Sequence, residues 1–110
     1  MTQSAELIDS ISNIILLSRI SAQSLTARAL KGNEEQGELA TAVLITTGEI
    51  AHKKLDEPVA GEVADVIICA LDVLAETHLE LSPDEIIALL TQELKRKSAK
   101  WASILERYTV

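Results

Sequence analysis

Apolar residues recur at intervals of three and four along most of the chain, and no stretch alternates apolar with polar residues as a half-buried strand would. That periodicity restricts the fold more than any other feature, because it leaves helices packed on helices as the way to bury apolar surface. The clearest helix start is Ser82-Pro83-Asp84-Glu85, which joins an N-cap serine, a first-turn proline and a capping-box glutamate. It opens the stripe Ile87, Leu90, Leu94, Trp101, Leu105 and Tyr108. Pro58 suits the first position of another helix, which runs through Gly61 to about Thr77 with Val63, Val66, Ile67, Ala70, Leu71 and Leu74 on one face. Gly61 weakens a helix interior, so close packing or room for a ligand is expected there.

Upstream, Lys31-Gly32-Asn33 predicts the end of one helix and the start of the next. Gly32 suits a left-handed position past a helix end, and Asn33 suits an N-cap with Gln36 as its partner. The first helix is then expected from Ser4 to Leu30, with serines between Ser18 and Ser24 marking where it can kink or break. The second is expected from Glu34 to about His52, followed by the polar connection Lys53-Lys54-Leu55-Asp56-Glu57. Short connections make sequential helices antiparallel, so the expected fold is all-α, an antiparallel four-helix bundle formed by residues 1–110 as a single domain. Trp101 and Tyr108 are its only aromatics, so the core must be built from Leu, Ile, Val and Ala. Thin helices in a chain of this length bury limited surface, which predicts a homo-oligomer.

The net charge of −7, spread along the chain, argues against attraction of nucleic acid by bulk charge; it suits a protein that reaches phosphates through a bound cation and suits plain solubility equally. The single cysteine, Cys69, permits neither an intrachain disulfide nor a cysteine-based zinc site, and its apolar surroundings read as those of a small buried hydrophobe. The N-terminal residues lack a basic region followed by an apolar stretch, and no apolar run reaches the roughly 20 residues of a membrane span. A cytoplasmic protein without a membrane partner is expected.

Chemistry is concentrated in two segments, Glu34-Glu35-Gln36-Gly37-Glu38 and Gly61-Glu62-Val63-Ala64-Asp65. Glu35 with Glu38, and Glu62 with Asp65, are each three residues apart and so share a helix face. Like charges at that spacing repel unless a cation or solvent relieves them. Two such pairs on adjacent helices supply hard oxygen donors that suit Mg²⁺ or Mn²⁺. Ordinary explanations stand beside this one. Acids in a first helical turn are favoured by the helix dipole. Glu62, Asp65, Asp72 and Glu76 fall on one side of their helix, opposite its apolar face, as a solvated stripe would. Glu6 and Asp9 form a third pair with no evident role. Glu35 and Glu38 differ in interrupting an apolar face, among Leu39, Ala42, Val43 and Ile45, where a carboxylate needs a cation or good hydrogen bonds to stay ionised.

In the motif Glu35-x-x-Glu38, the 23-residue gap from Leu39 to Gly61 and the following Glu62-x-x-Asp65, the chain resembles the MazG-like branch of the all-α nucleoside triphosphate pyrophosphohydrolases. Glu-Leu-Ala around the first pair and Val-Ile-Ile after the second fit the same resemblance, which covers Glu34 to about Leu81. It implies a dimer or dimer of dimers that hydrolyses a nucleoside triphosphate to the monophosphate and pyrophosphate, with Glu35, Glu38, Glu62 and Asp65 as Mg²⁺ ligands. Glu38 is the candidate to accept the proton of the attacking water. Lys97 and Lys100 are the candidate phosphate contacts, with Trp101 beside them as a base-stacking or packing residue; a solvated basic stripe accounts equally well for the lysines. The segment departs from the Lys, Asn and Arg-Tyr pattern of some relatives, with Glu93 and Lys97 near the first two positions.

Two other readings fit parts of the sequence. Glu49-Ile-Ala-His52 has the Glu-x-x-His spacing of a di-iron bundle, although it occurs once and His78 has Ala75 in the glutamate position. A helical dimerisation or regulatory module without turnover would leave every acid solvated.

Overall fold

The computed structural model describes residues 2–108. It consists of four helices, α1 (Gln3–Ile20), α2 (Leu25–Thr46), α3 (Val59–Thr77) and α4 (Pro83–Glu106), with no strand among the described residues. None of these helices is long and apolar enough to cross a membrane.

The first break lies earlier than Lys31-Gly32-Asn33. Ser21 is extended (φ −74°, ψ 139°), and Ser24 caps α2 by accepting a hydrogen bond from the Ala27 N–H. Helix α2 then continues through Gly32 and Asn33. Gly32 faces Cys69 on α3, where an added Cβ would meet the cysteine Cβ at 3.7 Å, an ordinary van der Waals contact, so the position is a helical one that neither ends the helix nor requires glycine. Termination occurs at Thr46, before His52, because Gly48 adopts a left-handed φ of 81° and Glu49 and Ile50 donate back to the Leu44 carbonyl. Glu49 and His52 therefore leave the helix, and the spacing that a helical Glu-x-x-His pair requires is lost. Pro58 stands at the N-cap of α3, one residue before the expected position. The Ser82–Glu85 capping box forms as expected: Ser82 Oγ accepts from the Glu85 N–H at 3.2 Å, and the Ser82 N–H donates to Glu85 Oε1 at 3.0 Å.

Ile15, Ala75 and Ile86 form the dry core where α1, α3 and α4 meet, surrounded by Ile11, Leu74, Leu81 and Ile87. Helix α2 packs its backbone on α3 and not on α1 or α4; it reaches α1 through the Arg28 side chain, which donates to Ser18. The radius of gyration is 16.7 Å, against about 13 Å for a compact domain of this length. One side of the molecule is therefore open. Val63, Ile67 and Ile68 of α3 and Leu94, Trp101 and Leu105 of α4 are exposed.

Helix α3 is turned opposite to the expectation from its polarity. Its acidic stripe faces α2, and part of its apolar stripe faces out. Two charged stations lie along the α2–α3 seam, one centred on Arg28 and one a carboxylate cluster edged by Lys31.

Candidate metal centre

The basic station is Arg28, which is 3% exposed. Its Nε donates to the Gln23 carbonyl at 3.0 Å, its Nη2 to the Ser21 carbonyl at 3.0 Å, and its Nη1 to the Ser18 carbonyl and hydroxyl, each at 3.0 Å. The same Nη1 pairs with Asp72 Oδ1, to which Ser18 Oγ also donates at 2.5 Å, and Glu76 lies 3.8 Å from Nη2. A guanidinium with its fork filled in this way ties the α1–α2 connection to α3. Asp72 and Glu76 are thus the partners of Arg28 rather than a solvated stripe, and Asp72 is not part of the acidic cluster.

Two helical turns along α2 from Arg28, the seam changes sign. Glu35 on α2 and Glu62 and Asp65 on α3 place carboxylate oxygens within 4.8 Å of one another, and Glu35 forms a second such group with Glu34 and Glu38. Glu35 is only 7% exposed and Glu62 only 8%. Lys31 Nζ stands 3.2 Å from Glu35 Oε1 and 3.5 Å from Glu34 Oε1, leaving Glu35 Oε2 and Glu62 Oε2 buried without hydrogen-bond partners among the described residues. Glu57, from the α2–α3 connection, lies near enough to Asp65 and Glu62 for these acids to raise its carboxyl above the ordinary glutamate value.

The crowding is visible in proton affinities. Burial, then the charges of Asp65 and Glu35, raise the Glu62 carboxyl above the ordinary glutamate value. Glu35 raises Glu38, and Asp65 raises Glu57. In the seam itself, Cys69 has its thiol pushed up by burial and by Glu35, as suits a small packed side chain rather than a nucleophile.

Of these acids, Glu38, Glu57 and Glu62 line a cleft of about 860 Å³, together with Ala42 and, on the loop side, Lys53 and Lys54; Glu35 and Asp65 do not line it. The donors are carboxylate oxygens without sulfur or imidazole, the set that Mg²⁺ and Mn²⁺ prefer. The two unpartnered buried oxygens are a deficit that a cation would fill.

The structure gathers Glu35, Glu62 and Asp65 at one point and puts Glu38 on the adjoining cleft wall. Lys97, Lys100 and Trp101 lie on the exposed later turns of α4 and do not line the cleft, and Trp101 is 66% exposed. Glu49 and His52 belong to no potential ligand group among the described residues. Sequence reasoning overlooked Arg28, Lys31 and Glu57. Arg28 carried a usable signal, since it precedes Glu35 by two turns and so shares its face. Gly61 was the signal for Glu57.

Compared with protein-family models, with curated proteins and with solved structures, the chain matches none.

Proposed function

We propose that this protein is a Mg²⁺-dependent hydrolase of nucleoside triphosphates, releasing the monophosphate and pyrophosphate. The observation that carries the reading is the pair of buried, unpartnered oxygens, Glu35 Oε2 and Glu62 Oε2, beside Asp65. The motif resemblance, in which the same residues are ligands, gives that pair its functional meaning. Glu35, Glu38, Glu62 and Asp65 are the residues to hold the ion, with Mn²⁺ as an alternative occupant. A bound Mg²⁺ supplies positive charge against phosphate oxygens and acidifies water.

The remaining work belongs to the chain. Glu38 is exposed on the cleft wall, where its carboxylate is open to water, and is the residue to accept the proton of the attacking water. Lys53 and Lys54 line the same cleft and offset the repulsion that an acidic surface imposes on a polyphosphate. Within one chain, Lys97, Lys100 and Trp101 stand off the cleft. Self-association is the route by which they would meet a triphosphate. The extended radius of gyration and the exposed apolar residues of α3 and α4 support a homo-oligomer.

The decisive test incubates a panel of nucleoside triphosphates with the protein and Mg²⁺ and measures pyrophosphate against orthophosphate. Pyrophosphate with the monophosphate is expected; orthophosphate alone would assign cleavage to a different bond, and no turnover with any triphosphate would remove the enzymatic reading. Glu38→Gln and Asp65→Asn are expected to abolish release with the helical circular dichroism signal retained.

A further inference from the structure

We propose that Glu57 is a fifth carboxylate of the cation site and that position 61 is glycine in order to admit it. The inference rests on the cation reading above and extends it to a loop residue outside both acid pairs.

Pro58 is extended at the N-cap of α3 (φ −60°, ψ 152°) and offers no side-chain cap. Its backbone turns the half-buried Glu57 back along the first helical turn, where the carboxylate lies over Gly61. A Cβ at position 61 would stand 3.0 Å from both Glu57 Cδ and Oε2, and 3.3 Å from Oε1. From that place, one turn before Asp65 along α3, Glu57 lines the same cleft as Glu38 and Glu62.

Glycine lowers helix stability relative to alanine, and here it is used to bring one more acid against a group already short of positive charge. Among the described residues, Lys31 alone pairs with that group, through Glu34 and Glu35. The buried Glu35 Oε2 and Glu62 Oε2 lack partners beside it. An additional carboxylate worsens this imbalance unless a cation occupies the centre, where it becomes another oxygen donor. A proton shared between Glu57 and Asp65 would have the contrary consequence: Glu57 would compete with the ion for Asp65.

The opposed consequences make the test direct. Mn²⁺ is titrated into the full-length protein and followed by calorimetry and by loss of the free-ion electron paramagnetic signal, for wild type, Glu57→Gln, Gly61→Ala and, as a control outside the cleft, Glu49→Gln. We expect Glu57→Gln to weaken Mn²⁺ binding about tenfold, and Gly61→Ala to weaken it by a similar factor by displacing the carboxylate. The melting temperature of ion-free Gly61→Ala should be unchanged or higher, which separates the effect from unfolding, and Glu49→Gln should bind as wild type does. Unchanged or tighter binding in Glu57→Gln overturns the proposal while the cation site stands. Weakening by Glu57→Gln with wild-type binding in Gly61→Ala overturns the account of the glycine. Failure of wild type to bind Mn²⁺ overturns this proposal together with the cation reading.

Discussion

Glu35 on α2 and Glu62 on α3 meet across the helix seam as two nearly buried carboxylates, each retaining an Oε2 without a hydrogen-bond partner among the described residues. A ligand that binds only the native state stabilises it, by about 2.7 kcal/mol at one hundred times its Kd, or roughly 10 °C in a domain of this size. Mg²⁺ or Mn²⁺ should therefore raise the melting temperature at constant ionic strength. Glu62→Gln should remove that response and raise the melting temperature of the ion-free protein, because the amide relieves like-charge repulsion and can donate to Glu35. An equal response in wild type and variant would show that the ion binds elsewhere.

The same crowding sets a pH dependence. Glu38, raised by Glu35, Glu57, raised by Asp65, and Glu62, raised by burial, each hold a proton more tightly in the native state than in the unfolded chain. The native state then binds more protons, so ion-free stability falls as pH rises from the ordinary glutamate value of 4.5 through the raised values. Glu85 has the opposite sign. Its hydrogen bonds with Ser82 lower its proton affinity, and its contribution is lost as pH falls below that ordinary value. Melting curves in a chelator should show stability declining from mildly acidic towards neutral pH, and saturating Mg²⁺ should abolish or reverse the decline. A chelated protein that gains stability over that interval would contradict the site's electrostatics.

Arg28 supports this arrangement from two turns away. Its guanidinium satisfies the carbonyls of Ser18, Ser21 and Gln23 while pairing with Asp72. Arg28→Leu should cost about 3–5 kcal/mol in urea unfolding, because it strands the partners of a buried ion pair. Lysine cannot reproduce the planar fork, so Arg28→Lys should recover only a fraction of the loss. Near-wild-type stability in Arg28→Leu would mean that the connection between α1 and α2 is held by other contacts.

What could be read in advance follows from the range of each interaction. The Ser82–Glu85 box and the all-helical class depend on contacts within one turn and on periodicity, and both are present in the structure. The helix break was misplaced because Gly32 and Asn33 carry terminating propensities that the packing of α2 along α3 and the Arg28 clamp override. The orientation of α3 was hidden for a related reason. An acidic stripe reads as solvated until the partner across the seam is known, and that partner is an arginine at one end and a glutamate at the other. Glu35 was legible because it interrupts apolar residues of its own helix. Glu57 was not, since its place depends on how Pro58 turns the chain and on the space above Gly61.

The outward face of α3 carries the last prediction. With its acids turned to α2, the helix leaves Val63, Ile67 and Ile68 at 39%, 49% and 45% exposure, a run that a lone chain has no reason to present to water. A second copy of the chain is the partner expected to cover it, so sedimentation at micromolar concentration should give a mass of at least twice 11.9 kDa. Burying an isoleucine contributes about 1.5–3 kcal/mol, and a symmetric contact counts it twice. Ile67→Glu should consequently weaken association by at least about a hundredfold while leaving the acids between α2 and α3 in place. The variant should sediment near the single-chain mass and still bind Mn²⁺. Wild type sedimenting as a single chain at tens of micromolar would instead show that α3 keeps its apolar residues exposed without a second copy.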